Sequence, residues 1–384
     1  MDKIRYGIIG IGKMGSLHCM RFKGKLIKGG ALTAVCDISP ERREWAEKNF
    51  PKVKFFEDYK EMMESGLVDA VLIATPHYLH PEMAKAALSR GLHTLIEKPA
   101  GVFTSAIREL NEFAKEKKDL VFGIMYNQRT NKLYRYAKML VDSGRLGEMK
   151  RINWIITDWY RPQAYYDQGG WRGTWVGEGG GALINQCPHQ LDLFQWLGGM
   201  PSKIIGYAKV GVKRDINVEN DVTAYFEYPN GASGVFITST HDFPGTNRLE
   251  IDGDKGKLVI ENNKLTFTEL AVSETEFNAT NKKFMPKIPV KKKHVVRISK
   301  LGQLAQLVFG QHTEIIRNFT AAIQDGNPMI APGEDGINGL TVSNAIHLSS
   351  WLNEPVTLPI DEKRFEEELA KRIEEEKELN KKKV

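Results

Sequence analysis

Cysteine is scarce in this sequence, and the cysteines that occur are far apart. Cys19, Cys36 and Cys187 are the only three among 384 residues, and no Cys-x-x-Cys pair is present. An odd number of widely spaced cysteines argues against a disulfide framework and against a structural zinc site. We therefore expect a reducing compartment and predict a cytoplasmic protein.

The sequence also lacks long apolar runs and a large excess of charge. No run approaches the roughly 20 apolar residues of a membrane-spanning helix, and the N-terminal ten residues lack a signal-peptide core. The net charge is only +6, and much of it comes from a basic run over residues 282–300. We interpret that run as an exposed strand or loop. Neither a nucleic-acid partner nor a membrane partner is expected.

Apolar strands alternate with amphipathic helices over residues 1–125. Strands are predicted over 4–10, 31–37, 53–56, 68–75, 93–96 and 120–125, and helices over 17–27, 41–49, 81–90 and 105–118. Regular alternation of this kind is typical of a doubly wound parallel sheet. We predict an α/β Rossmann domain here.

The pattern changes after residue 125. Strands are predicted over 151–157, 204–212, 223–228, 234–240, 248–252 and 257–261, with helices over 183–197, 311–325 and 336–352. Strands with few intervening helices predict an α+β domain with a large, mostly antiparallel open sheet over residues 126–360. Residues 361–384 are nearly all charged at helical spacing, which predicts a solvated helical tail.

A glycine-rich loop follows the first predicted strand. It consists of Gly10, Ile11, Gly12, Lys13, Met14 and Gly15, which match the pattern G-x-G-x-x-G. Glycines at these positions allow a tight turn, close approach of a pyrophosphate and close packing of the next helix. The free N–H groups of that helix would then bind the phosphates. The position of the loop, between a strand and a helix, predicts a dinucleotide site.

Asp37 ends the second predicted strand, where a carboxylate would accept hydrogen bonds from ribose hydroxyls. A 2′-phosphate would meet a like charge at that position, so NAD is favoured over NADP. Arg42 and Arg43 follow closely and could soften this preference, although a solvated helix face explains them as well.

Four further motifs point to one family. They are residues 71–80, residues 91–99 with the tripeptide Glu97-Lys98-Pro99, residues 143–147, and the glycine-rich segment 179–192 that ends in Asn185, His189 and Asp192. In this order, together with the glycine loop, the chain resembles the family of glucose–fructose oxidoreductase, inositol dehydrogenase and rhizopine catabolism proteins (Gfo/Idh/MocA). The resemblance extends over nearly the whole chain.

The resemblance implies an NAD-dependent enzyme that acts on a small sugar, glycoside or cyclitol and assembles as a homodimer or homotetramer. It also implies site residues. On the cofactor side these are Thr75, Pro76, His77, His80, Glu97, Lys98, Asn127, Trp171 and Arg172, and on the substrate side they are Lys98, Arg129 and His241.

Oxidation of a secondary alcohol removes a hydride from carbon and a proton from oxygen. Lys98 can donate to the oxygen as an ammonium, and His189 can accept the proton because an imidazole titrates near neutrality. Asn185 lies four residues before His189, which would place both on one face of a single helix.

The family usually carries aspartate where this chain has Asn185. An amide cannot carry the charge that raises the pKa of a histidine. Either Asp192 orients His189, or Lys98 takes a larger share of the proton transfer. A metal site at Cys187, His189 and Asp192 is disfavoured, because no supporting ligand pair is nearby.

The segment 154–175 is rich in tryptophan and tyrosine, with arginines between them. Aromatic rings pack on the C–H faces of sugars, so Tyr160 and Tyr165 are candidate substrate contacts, and the glycines over 169–181 allow the segment to act as a lid. We therefore predict a dehydrogenase that oxidises a ring hydroxyl to a ketone. The alternatives are a glycoside-cleaving enzyme that uses NAD transiently, and a non-catalytic cofactor-sensing protein.

Overall fold

The computed structural model describes residues 2–168, 170–299, 302 and 310–383. These residues form two compact units, one of residues 2–130 with 310–340 and one of residues 131–299 with 341–383. The helix Gly336–Leu352 begins in the first unit and ends in the second. None of the helices in the described part of the chain is long and apolar enough to cross a membrane.

The first unit is built on a six-stranded parallel sheet, which confirms the predicted Rossmann fold. Its strands are β1 (Ile4–Ile9), β2 (Gly30–Cys36), β3 (Lys54–Phe56), β4 (Ala70–Ile73), β5 (His93–Ile96) and β6 (Phe122–Ile124), in the order β3-β2-β1-β4-β5-β6. Its helices are Lys13–Lys23, Pro40–Asn49, Tyr59–Glu64, His80–Ser89, Thr104–Glu116 and Gln311–Asp325. The strand order reverses between β1 and β4, and ligands of such sheets bind at the carboxyl ends of the strands near that reversal.

Residues 310–340 complete the first unit although they follow the second unit in sequence. The helix Gln311–Asp325 lies where the sequence predicts it, and its Thr320 hydroxyl lies 2.7 Å from the hydroxyl of Tyr6 in β1. Farther along, the N–H of Ile124 in β6 donates to the carbonyl of Ala331. The sequence pattern did not reveal this return, because helical periodicity does not show against which sheet a helix packs.

The second unit contains a nine-stranded sheet, which confirms the predicted large and mostly antiparallel sheet. Its strands are β7 (Met149–Ile156), β8 (Lys203–Val210), β9 (Glu219–Glu227), β10 (Ser233–Ser239), β11 (Asn247–Gly253), β12 (Gly256–Glu261), β13 (Lys264–Leu270), β14 (Val290–Arg297) and β15 (Val356–Thr357). The order is β14-β13-β12-β11-β7-β10-β9-β8-β15, and only β7 and β10 pair in parallel.

One face of this sheet is covered by the helix Pro188–Gly198, whose Phe194 ring packs against Phe226 of β9 and Phe236 of β10. The opposite face carries exposed apolar side chains. Ile155 on β7, Tyr225 on β9 and Tyr207 on β8 are 38%, 41% and 58% exposed. We call these three residues, with Val235 and Ile237 on the intervening strand β10, the open face.

The helices of the second unit are Lys132–Asp142, Gln163–Tyr166, Trp175–Glu178, Pro188–Gly198, Glu274–Thr280 and Glu362–Lys383. The prediction of a single helix over 183–197 was wrong. A π-helical turn over Ala182–Gln186 comes first, closed by the N–H of Cys187 bonding to the carbonyl of Ala182. A new helix then begins at Pro188, because proline has no N–H to continue the preceding turn and suits the first helical position.

The prediction of a solvated tail was wrong for one face of the helix Glu362–Lys383. Phe365 and Leu369 are buried, and the Phe365 ring stacks on Trp351 at 5.5 Å. The Glu376 carboxylate is also buried, where it accepts hydrogen bonds from the backbone N–H of Val176 and from Asn217 Nδ2, each at 2.9 Å. Few apolar residues suffice to dock the helix, so the charge pattern concealed the buried stripe.

The basic run over 282–300 includes β14, the last strand at one end of the sheet order, and most of its side chains are exposed as predicted. Its last residue lies outside the described residues.

Candidate active site

The glycine loop follows β1 and leads into the helix Lys13–Lys23. Gly10 has a φ of +80°, which L side chains rarely adopt. A Cβ on Gly15 would lie 1.9 Å from the carbonyl oxygen of Gly10, so only glycine permits the helix to begin this close to the loop. Both requirements follow from the backbone of this chain.

Gly12 differs from its neighbours, because a Cβ placed on it would meet nothing within 4 Å. Gly12 is also the N-cap of the helix, no side chain caps its N–H groups, and no acidic residue lies in its first turn. An open space beside uncapped N–H groups at the positive end of a helix suits a pyrophosphate. The loop of Ile11, Lys13 and Met14 between these glycines therefore fits a dinucleotide.

Asp37 follows β2 and lies beside the loop. Its Oδ2 accepts a hydrogen bond from the N–H of Ile11 at 2.8 Å, and its Oδ1 accepts one from the N–H of Ser39 at 3.0 Å. The carboxylate thus braces the loop, and each oxygen keeps a second lone pair that a ribose hydroxyl could use. Arg42 also reaches the loop, with its Nη1 3.4 Å from the carbonyl oxygen of Ile11 and 3.3 Å from Ser16 Oγ.

Thr75, Pro76 and His77 begin two residues after β4 ends, at the edge of the sheet where the glycine loop also lies. His80 begins the next helix and is buried. Its Nδ1 lies 2.8 Å from the carbonyl oxygen of Pro99, and its Nε2 lies 2.8 Å from that of Thr75. Burial lowers the pKa of His80. Its two contacts link the segments that follow β4 and β5, so the structure gives it a bracing position.

Glu97 and Lys98 follow β5. Glu97 is buried, with Oε1 2.7 Å from His18 Nε2 and Oε2 accepting the backbone N–H of Lys98 at 3.1 Å. Burial alone would raise the pKa of Glu97, but the hydrogen bond from His18 and the electrostatic influence of His18, His312 and Lys98 lower it to about 2. Glu97 is therefore ionised and fixes the backbone that carries Lys98.

His18 and His312 are site residues that the sequence reasoning missed. Their rings lie 5.8 Å apart, and burial lowers the pKa of His312 to about 4. No local motif reveals them, because His18, Glu97 and His312 are distant from one another in sequence.

Asn127 and Arg129 lie in the 3₁₀ turn Asn127–Thr130 that follows β6. Asn127 Nδ2 donates to Gln311 Oε1 at 3.1 Å. The Arg129 side chain is buried, pairs with Asp335 at 2.5 Å and stacks on Tyr126. Through these contacts Arg129 holds residues 310–340 against the turn that follows β6. Its role in substrate binding stays a prediction.

In the second unit, several predicted residues converge on the hydroxyl of Tyr165. Arg172 Nη1 donates to it at 3.0 Å and Gln186 Nε2 at 3.3 Å, while Asn185 Nδ2 lies 3.5 Å away. The Arg172 guanidinium also stacks over the Trp171 ring at 4.4 Å. The structure therefore brings together Tyr165, Trp171, Arg172 and Asn185, which lie in separate segments of the chain.

Glu178 was missed by the sequence reasoning and lies in the same group. It is 1% exposed, Oε1 accepts a hydrogen bond from Asn185 Nδ2, and Oε2 accepts one from the N–H of Gly173 at 2.8 Å. Burial raises the pKa of Glu178 to about 7. In the sequence, Glu178 could have been noticed because it directly precedes the three consecutive glycines 179–181.

Asn185 and His189 do not share a helix, contrary to the prediction, since Asn185 lies in the π-helical turn and His189 in the helix that begins at Pro188. Asp192 is buried in that helix and accepts a hydrogen bond from Gln195 at 3.1 Å.

The predicted substrate residues His241 and Tyr160 have other partners in the second unit. His241 Nε2 lies 2.8 Å from Asp221 Oδ2. Tyr160 is half-exposed and meets Phe243 edge to face.

No group of three or more His, Cys, Asp or Glu side chains could hold a metal ion within the described ranges. All three cysteines are buried thiols.

Comparison with protein families decides the assignment. Residues 4–124 match the model of the oxidoreductase family with an NAD-binding Rossmann fold. Residues 134–259 match the model of the GFO/IDH/MocA C-terminal domain. The chain belongs to the Gfo/Idh/MocA family. It is an oxidoreductase whose cofactor is NAD, as the glycine loop and Asp37 predicted.

Among relatives within the Gfo/Idh/MocA family, myo-inositol 2-dehydrogenase of Thermotoga maritima is 22% identical over 347 residues, which is 89% of this chain and 95% of the relative. The crystal structure of WlbA dehydrogenase from Bordetella pertussis, in complex with NADH and UDP-GlcNAcA, has a TM-score of 0.76 at 24% identity and covers 94% of this chain and 99% of that one. That of scyllo-inositol dehydrogenase from Lactobacillus casei, with NAD(H) and scyllo-inositol, has a TM-score of 0.72 at 22% identity and covers 93% and 99%. Both structures show the same fold.

Proposed function

We propose that the chain oxidises a ring hydroxyl of a small sugar, glycoside or cyclitol to a ketone, with NAD as the acceptor. The observation that carries this proposal is the buried Glu97, which fixes Lys98 at the end of β5 in the same sheet that holds the glycine loop beside β1. The relatives named above act on inositols or bind a sugar derivative, which supports the same class of substrate.

Bound NAD supplies the acceptor for the hydride. The chain itself must hold the hydroxyl, stabilise negative charge on its oxygen and remove its proton. Lys98 donates to that oxygen as an ammonium, and His189 accepts the proton. Asn185 orients the substrate through its amide. The arginines and aromatic rings around Tyr165 hold the sugar ring, since aromatic faces pack on C–H groups while guanidinium groups bind hydroxyl oxygens.

Assembly as a homodimer or homotetramer through the open face is part of this proposal. The exposed apolar side chains on β7, β9 and β8, with those of β10 between them, form a patch that a second copy of the chain would remove from water.

A panel of inositols, sugars and glycosides incubated with NAD tests the function, with NADH followed by absorbance and products by mass spectrometry. We expect one NADH and one ketone for each substrate consumed. Cleavage of a glycoside without net NADH would replace the dehydrogenase with the glycoside-cleaving alternative. Binding of NADH with no turnover of any compound would favour the cofactor-sensing alternative.

A further inference from the structure

Glu178 is a buried carboxyl for which the proposed reaction has no use, yet it contacts Asn185 directly. It lies at the end of the short helix Trp175–Glu178. One oxygen, Oε2, is committed to the N–H of Gly173, and the other, Oε1, receives Asn185 Nδ2. Arg172 Nη1 lies 3.6 Å from Oε1. The Glu178 carboxyl therefore contacts the Asn185 amide through Oε1, and this atom can fix the orientation of that amide.

The protonation state of that atom determines how the Asn185 amide is turned. An ionised carboxylate can only accept hydrogen bonds, so the amide nitrogen must face it and Oδ1 lies at the opposite end of the planar group. A protonated carboxyl can donate from Oε1, because Oε2 already accepts from Gly173. The amide can then turn over, so that its nitrogen lies at the end away from Glu178.

We propose that Glu178 is a positioning residue whose charge decides whether Asn185 presents a hydrogen-bond acceptor or a donor to the substrate. The inference rests on the proposed function, because it takes Asn185 to line the substrate site. Ionised Glu178 makes the Asn185 amide oxygen a hydrogen-bond acceptor for a ring hydroxyl next to the reacting one, whose own proton goes to His189. Protonated Glu178 makes the amide a donor that competes with this role.

The charged surroundings of Glu178 set the pH at which the change occurs. Burial raises its pKa to about 7 and the charge of Glu219 acts in the same direction, while the Gly173 N–H, Arg172 and Asn185 oppose them. Glu219 in turn lies 3.0 Å from His347 and accepts the N–H groups of Gly181 and Leu183. The hydroxyl of Tyr165 lies next to Arg172 and Asn185. The charge of Glu178 contributes to the raised pKa of Tyr166, behind the larger effect of burial. The amide therefore turns within the pH range of an ordinary assay.

Glu178→Gln imitates the protonated state permanently. The introduced side chain can still accept from Gly173 through its oxygen, which leaves its N–H₂ facing Asn185 and turns that amide over. We expect the wild-type kcat/KM to rise with pH through neutrality, and we expect Glu178→Gln to lose this rise and to fall about 10- to 100-fold below the wild type at high pH. An unchanged pH profile in this variant would overturn the proposal.

The double variant Glu178→Gln/Asn185→Asp separates positioning from simple damage. The introduced carboxylate accepts from the introduced amide and again presents an acceptor to substrate, so activity should return to within about tenfold of the wild type, without the rise through neutrality. A purely structural role of Glu178 predicts no recovery. Glu227→Gln, a half-exposed carboxylate on the sheet paired with Lys203, is the matched control and should keep the wild-type profile.

A readout without turnover distinguishes failure of this inference from failure of the proposed function. In protein with isotope-labelled asparagine, the side-chain NH₂ resonances of Asn185 should shift through a transition near pH 7 in the wild type and not in Glu178→Gln. Absence of that shift overturns the inference even if the enzyme is active. Absence of NAD reduction in the wild type, with the shift present, overturns the proposed function and with it the substrate role of Asn185.

Discussion

The buried pair of His18 and Glu97 ties the helix after the glycine loop to the strand end that carries Lys98. Their atoms Nε2 and Oε1 lie 2.7 Å apart, and both side chains are nearly inaccessible to solvent. Removal of either residue would leave a buried polar group of the other without its hydrogen-bond partner. The pair therefore couples the cofactor loop to the proposed catalytic lysine within one unit.

Glu97→Gln should lower the free energy of unfolding by about 1–3 kcal/mol, because it replaces the carboxylate that bonds to the buried His18 with a neutral amide. The pKa of Glu97 is lowered in the folded state, so its stabilising contribution is complete above about pH 4.5 and is lost as the pH falls through about 2. Urea unfolding at several pH values measures both effects. Glu112→Gln, on an exposed helix position, should change stability by less than about 0.5 kcal/mol. Equal stability of the two variants would contradict the assignment.

Lys98→Ala and His189→Asn should each lower kcat/KM by about 10²–10⁴-fold, because each removes a group that acts on the substrate hydroxyl. The Kd for NADH, measured by fluorescence, should stay nearly constant. Lys118→Ala, at an exposed position after a helix, serves as the control. Full activity of either site variant would remove that residue from the mechanism.

Gly12→Ala and Gly15→Ala should separate cofactor binding from folding. A Cβ at position 12 meets no atom of the chain, so the melting temperature should hold while NADH binding weakens by at least about tenfold. A Cβ at position 15 collides with the carbonyl of Gly10, so that variant should melt earlier. If Gly12→Ala bound NADH as the wild type does, the pyrophosphate would not lie against this glycine.

Asp37→Asn should reduce the preference for NAD over NADP. The introduced amide can still accept from the N–H of Ile11, but the negative charge that repels a 2′-phosphate is gone. The ratio of kcat/KM for the two cofactors should fall by about tenfold, a change of about 1.4 kcal/mol. Asp119→Asn, which is exposed and distant in sequence from the loop, should leave the ratio unchanged.

The double variant Tyr207→Glu/Tyr225→Glu should dissociate the oligomer, because it places two charges on the open face. Light scattering coupled to gel filtration gives the mass directly. Phe284→Glu adds a charge at a side chain that is 97% exposed and outside the sheet face, and it should keep the assembly intact. A monomeric wild type would refute the proposed assembly.

The sequence predicted the features that local patterns encode. Apolar runs marked all six Rossmann strands to within about two residues, and the glycine loop and Asp37 identified the cofactor. The break at Pro188 was missed, because the helical spacing between Asn185 and His189 outweighed the preference of proline for the first position of a helix.

The rest depended on tertiary contacts. His18 contacts both Glu97 and the ring of His312, these three residues come from distant parts of the chain, and no spacing rule connects them. Phe365 and Leu369 are two apolar residues in a charged segment, and their burial could be known only from what they pack against.

The return of residues 310–340 to the first unit has a consequence for biosynthesis. A ribosome releases β1 and β6 long before it releases the helix that meets Tyr6 and the segment that meets Ile124. The nascent cofactor-binding unit therefore stays incomplete until the whole sheet of the second unit, apart from its short last strand β15, has been synthesised.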